Sequence, residues 1–190
     1  MSARPAPEPG ATRSLRARLA AGPLVRRIAL ADLRISTFVR TRLDLPHAHG
    51  PIKAYTTAGE HAALWYAIGT VAMLRADPAT AARWRRAMLS VFVTQLVNTA
   101  VKTVFRRRRP LVEDLPALVK VPTSLSFPSA HSSTSFCAAR TYSALAPGRA
   151  PLLYGAAAAM AASRVYVGVH YPTDIAVGAA LGTAIGSVAR

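Results

Sequence analysis

Three polar clusters interrupt a largely apolar chain, and their side chains are of the kinds that handle phosphate. The first is Gln95, Asn98, Lys102 and Arg109, at steps of three, four and seven residues. On a helix continued through Arg109 they share one face, with Lys102 nearly two turns inside an apolar run. Lysine supplies a point charge and arginine a planar fork, a pair suited to phosphate oxygens. The run Arg106 to Arg109 also reads as an ordinary basic flank, which suits Arg106, Arg107 and Arg108 but leaves Lys102 unexplained. The second cluster, Phe127-Pro128-Ser129-Ala130-His131, opens an apolar segment. Pro128 fits a first helical position, and the free amides of that turn with the Ser129 hydroxyl form an anion site. His131, one turn in, can give or take a proton, although a lone interfacial histidine is more often structural. The third cluster runs from Ser163 to Asp174. Arg164 adds another fork, and His170 and Asp174 stand four apart, one turn if helical. An aspartate beside a histidine fixes its tautomer and supports positive charge on the ring, as a nucleophile or base requires. Pro172 is expected to start the last helix, with Asp174 in its first turn.

The elements that position these clusters read as membrane helices. The chain has 190 residues, enough for one domain, and 52% are hydrophobic. From Ser132 to Ala162 the only charges are Arg140 and Arg149, too few for the polar face of a water-soluble helix. The pattern predicts an all-α integral membrane bundle of about five transmembrane helices, roughly 55–75, 86–105, 131–147, 150–166 and 173–189. This count brings all three clusters to one membrane face. Residues 1–11 read as disordered, with no signal peptide. Residues 12–53 read as an interfacial arm and linker: one or two amphipathic helices over 12–43, basic side to the headgroups, then Asp44–Pro51 as the linker. Residues 54–190 form the membrane domain. Gly178, Gly182 and Gly186 continue a four-residue stripe from Asp174, and are expected to pack on Gly155, Ala159 and Ser163, with a homodimer through one of these faces as the rival.

The net charge of +16 concentrates ten of 24 Lys and Arg in the first 53 residues. It is expected to meet anionic lipid headgroups. No recognition helix or zinc-ligand spacing points to nucleic acid. Cys137 is the single cysteine and reads as a small buried hydrophobe. Carboxylates are scarce: Glu113 and Asp114 lie in a loop without a partnering pattern, so no metal site is expected.

The clusters resemble the three signature motifs of the type 2 phosphatidic acid phosphatase superfamily. Lysine, six residues, Arg-Pro is matched by Lys102 through Arg109-Pro110; Pro-Ser-Gly-His by Pro128-Ser129-Ala130-His131; and Ser-Arg, five residues, His, three residues, Asp by Ser163-Arg164, His170 and Asp174. The resemblance implies a metal-independent membrane lipid phosphatase with no cofactor. His170 attacks phosphorus to form a phosphohistidine, Asp174 holds and polarises it, and His131 protonates the leaving oxygen. Lys102, Arg109, Ser129, Ala130 and Arg164 hold the phosphoryl oxygens, and Pro110, Pro128 and Ser163 shape the motifs. Ala130 departs from the expected glycine and is expected to be helical, where alanine costs nothing. With an alanine- and arginine-rich composition like that of a high-GC actinobacterium, the resemblance ranks decaprenylphosphoryl-5-phosphoribose first as substrate. Phosphatidylglycerophosphate, phosphatidate and undecaprenyl diphosphate stay open beside it, as do the more distant readings of a phosphotransferase, a scaffold or a transporter.

Overall fold

The computed structural model describes residues 22–110 and 115–189. The stretch expected to be disordered, 1–11, and the acidic pair Glu113 and Asp114 lie outside these residues. Among the described residues the chain is all-α: α1 (Pro23–Arg42), α2 (His49–Ala58), α3 (Ala63–Leu74), α4 (Pro78–Phe105), α5 (Ala130–Leu145), α6 (Ala150–Tyr166) and α7 (Pro172–Val188). Prolines at the first turn start α1, α4, α6 and α7, where a missing N–H costs nothing. Asp77 caps α4, accepting from the Ala79 and Thr80 amides at 3.0 and 3.1 Å.

The expectation of five membrane spans does not hold. Among the described residues, one helix, α4, is long and apolar enough to cross a membrane. At 1.5 Å per residue, helices of 16 or 17 residues reach about 25 Å, short of a hydrocarbon core of about 30 Å. The first expected span is two pieces. α2 ends at Ala58, inside the segment expected to be continuous, and His61 and Ala62 then take left-handed φ of 51° and 60° before α3 begins. The apolar look of α5 comes from small residues that pack against protein. It is wrapped by α4, α6 and α7, and its hydroxyls are satisfied inside. Thr141 donates to Cys137 O at 2.9 Å, and Ser132 to Ile175 O at 2.6 Å. Ser135 accepts from the Trp65 indole at 2.8 Å. On α4, by contrast, Leu89, Phe92, Val93 and Leu96 stand exposed. That is the face a lipid-embedded helix presents.

The glycine stripe packs elsewhere than expected. A Cβ at Gly182 would fall 1.9 Å from Ser133 O on α5, and one at Gly178 2.7 Å from Ser129 O, whereas Gly155 faces open space. The stripe therefore brings α7 onto α5, and the backbones touch only because no side chains intervene.

Of the expected arm, residues 12–21 lie outside the described residues, and Pro23–Arg42 form one helix, α1, turned inside out. Asp32, Ser36 and Arg40, one turn apart, are buried; Leu24, Val25, Ile28, Leu33, Ile35 and Phe38 are exposed, beside Arg26, Arg27 and Arg34. Helix α2 begins at His49, within the expected linker.

Candidate active site

α4 ends because Arg106 adopts a left-handed φ of 49°, its amide closing on Lys102 O at 3.0 Å. Arg109 thus does not continue the helical face of Gln95, Asn98 and Lys102. It reaches the site from a short antiparallel bridge between Arg108 and Leu125, held by Arg109 N to Ser124 O at 3.1 Å. The side chain is fixed by Nε to Thr123 O (2.8 Å) and Nη1 to Val169 O (2.7 Å).

Phe127 and Pro128 are joined by a cis peptide, and Ser129 is the N-cap of α5, accepting from Ser132 N at 3.4 Å. Pro128 therefore precedes the helix rather than starting it. Asn98 of α4 donates to Pro128 O at 3.3 Å and Ser133 Oγ at 2.9 Å, fixing this turn against the long helix. Ala130 is the first helical residue, as expected, and carries no left-handed strain.

The third motif spans the end of α6 and the start of α7. Gly168, at φ 78°, turns the chain so that the Val169 and His170 amides return to Arg164 O at 3.1 and 3.3 Å. Asp174 sits in the first turn of α7, where its Oδ2 accepts the Tyr171 amide at 2.9 Å.

These turns bring Lys102, Arg109, Ala130, His131, Arg164 and His170 onto the wall of one cavity of about 510 Å³. Asp174 stands behind His170, with Oδ2 3.5 Å from Nδ1, close but short of a formed hydrogen bond. Arg109 Nη1 lies 3.3 Å from His170 Nε2. A guanidinium has no acceptor, so Nε2 offers its lone pair there and Nδ1 carries the hydrogen toward the carboxylate. Burial pushes the His170 imidazole down to about 3; Asp174 opposes this, and Arg109 and Arg164 add to it. The ring is neutral at physiological pH. Burial likewise lowers the Arg109 guanidinium to about 10, against the pull of Asp174, leaving it charged.

Thr56 of α2 ties two motifs together. Its Oγ1 accepts from Arg164 Nη1 at 2.6 Å and from Ser163 at 3.1 Å, and its carbonyl accepts from His131 Nε2 at 3.2 Å. Ser129, Pro110 and Pro128 are buried supports. The Ser129 hydroxyl is engaged as a helix cap and is not part of the cavity wall. Among the described residues, no three His, Cys, Asp or Glu gather into a metal-binding group.

Thr56 escaped the sequence reading, as did Arg107 and Asp32. Arg107, grouped there with a plain basic flank, pairs with Asp174 Oδ1 and with Asp32 Oδ2, both at 2.7 Å. Asp32 is the sole acidic residue between Glu8 and Asp44. A lone carboxylate in an arginine-rich arm was the available signal.

A cationic cavity over a buried His–Asp pair, carried by an α-helical fold, is an arrangement suited to holding a phosphate group. The sequence pattern of the PAP2 superfamily matches residues 83–190, and the chain belongs to that family of membrane-associated lipid phosphatases. A decaprenylphosphoryl-5-phosphoribose phosphatase of Mycobacterium tuberculosis is 33% identical over 172 residues, 87% of this chain and 92% of that protein. The Mycolicibacterium smegmatis protein of the same name is 36% identical over 126 residues, 66% and 68% of the two chains. Two crystal structures share the fold at TM-score 0.70: Aquifex aeolicus LpxE (21% identity, 84% of this chain, 94% of that one) and a transmembrane PAP2-type phosphatidylglycerolphosphate phosphatase from Bacillus subtilis (24%, 93% and 89%).

Proposed function

We propose that the chain hydrolyses a phosphate ester or diphosphate of a membrane lipid through a phosphohistidine on His170. The observation that carries this is the 3.3 Å approach of Arg109 Nη1 to His170 Nε2 in a cavity also lined by Lys102 and Arg164. A phosphoryl group whose oxygens are held by these three cations takes the Arg109 N–H in place of His170, freeing the Nε2 lone pair with phosphorus within its reach. The N–P bond forms as the P–O bond to the lipid breaks, and His131, entering the step as the imidazolium beside the phosphate anion, delivers its Nδ1 proton to the leaving oxygen. Asp174 stabilises the ring as it becomes positive. Water then attacks phosphorus, His131 takes its proton, and His170 is released with phosphate. The nucleophile, the acid–base group and the phosphate-holding cations of this sequence are side chains of the protein.

The site carries the general reading furthest: phosphatidylglycerophosphate, phosphatidate or undecaprenyl diphosphate asks only for phosphate recognition beside an apolar approach. A narrower reading, decaprenylphosphoryl-5-phosphoribose, is supported by the activity in the names of the 33% and 36% identical relatives. Phosphate release by purified protein across a panel of these four lipids tests both. The H170A and H131A variants are expected to lose at least about 100-fold in kcat, the scale of a lost nucleophile or general acid. Unchanged release by both variants refutes the mechanism. Release from all lipids except the phosphoribosyl one refutes the narrower substrate.

A further inference from the structure

We infer that Asp32 and Arg107 are positioning residues that set the orientation of Asp174, making helix α1 a working part of the active site. The inference rests on the His170–Asp174 reading above. Arg107 is a clamp with two jaws: Nη1 holds Asp174 Oδ1 at 2.7 Å and Nη2 holds Asp32 Oδ2 at 2.7 Å. Its planar group lies over the Tyr171 ring, 4.1 Å from the centroid, which leaves it little freedom to turn. Nη1 also donates to Thr173 Oγ1 at 2.7 Å.

Asp32 is 2% exposed and comes from 142 residues away in the chain. Besides Arg107 it accepts the Thr173 amide at 2.9 Å and the Thr173 hydroxyl, so it satisfies an otherwise free N–H at the start of α7. Asp174 is thereby held from both sides, Oδ1 by Arg107 and Oδ2 by the Tyr171 amide, and only Oδ2 is left to face His170 Nδ1. Rotation of that carboxylate breaks its alignment with the ring.

The charges alternate along this row: Asp32 negative, Arg107 positive, Asp174 negative. Arg109, Arg164, Lys102 and His131 face His170 from the cavity side, and Glu60 lines the same cavity and acts on Arg164. Without Asp32, Arg107 loses its outer jaw and the whole of its charge bears on Asp174. Without Arg107, Asp32 and Asp174 are two buried carboxylates with no cation between them. Arg40, two turns beyond Asp32 on the same face, donates to Tyr166 O at 3.2 Å and Pro116 O at 2.7 Å, so α1 is fastened along the length of the third motif.

The test uses full-length protein in detergent, with phosphatidate, phosphatidylglycerophosphate and decaprenylphosphoryl-5-phosphoribose each as substrate. D32N is expected to lower kcat about 10–100-fold with KM unchanged, as for a support residue whose loss misplaces the reacting group. D32E, which keeps the charge, restores a measurable part of it. The double variant D32N/R107Q is expected to be no slower than R107Q alone, because the pair acts as one unit. Wild-type kcat in D32N overturns the inference, as does additive loss in the double variant, or a loss that follows only the folded fraction measured by thermal melting. H170A separates the two levels. Full activity in H170A removes the mechanism itself, whereas an inactive H170A with a fully active D32N removes only the role of Asp32.

Discussion

His170 shows what a sequence can and cannot say about one residue. Its spacing from Asp174 was legible, because both lie on one turn of chain and local geometry puts them together. Its neighbours were not. Arg109 reaches it from a ribbon that begins after α4 has ended, and Arg107 meets Asp32 across 75 residues, a pairing that no local pattern encodes. Burial keeps the His170 ring neutral until about pH 3 in the folded chain, while in the unfolded chain it protonates below about 6.5. Between these values the unfolded state binds the extra proton, so stability is full above about 6.5 and falls as pH drops through the window. The expected outcome is that Tm of the wild type declines from about pH 7 to about pH 5 more steeply than that of H170N, whose side chain does not titrate there. Equal slopes in the two melting series would remove the buried, neutral histidine from the account.

At the scale of elements, the order of helices from residue 63 onward was readable, and their environment was not. Hydropathy registers an apolar run without saying whether lipid or protein covers it. α5 is surrounded by α4, α6 and α7, which is why its row of serines and alanines was mistaken for a span. The break at His61 and Ala62 left no proline, and the nearby Gly59 takes an ordinary helical φ. The glycine stripe was seen, but its partner was assigned to α6 instead of α5, since a four-residue interval names a face and not what lies opposite it. Two substitutions separate these assignments. G182A forces a methyl group into Ser133 O and is expected to destabilise by more than about 3 kcal/mol, beyond ordinary overpacking. G155A meets open space on a helix and is expected to be neutral or to stabilise by up to about 1 kcal/mol. Chemical denaturation of both variants reads the difference, and similar midpoints would contradict the packing of α7 on α5.

For the whole molecule, charge and exposure decide how the chain meets its lipid. The three motifs and the family were legible in the sequence; the inverted amphipathicity of α1 was not, because buried polarity and exposed polarity look alike in a list of residues. The structure resolves a tension in the arm. Asp32 and Arg40 are engaged around the third motif and Ser36 is buried between them, while Leu24, Ile28, Leu33 and Phe38 face outward with Arg26, Arg27 and Arg34 among them. Such a surface is proposed to rest in an anionic interface, apolar side chains inserted and guanidiniums at the headgroups. The consequence is kinetic. In mixed micelles at low salt, raising the anionic lipid fraction at fixed substrate is expected to lower KM, because the chain of net charge +16 is drawn to the surface that holds its substrate. At about 1 M salt the screening length shrinks to about 3 Å, and the advantage of anionic over zwitterionic micelles should largely vanish while kcat stays the same. The combined variant R26Q/R27Q/R34Q carries three fewer charges on the exposed side of α1 and touches none of the buried polar row. It should show a weaker anionic-lipid effect at low salt and wild-type kcat. An undiminished effect in that variant would move the attraction elsewhere on the molecule, and a fall in its kcat would mean that the outer face of α1 reaches the active site by a route other than Asp32.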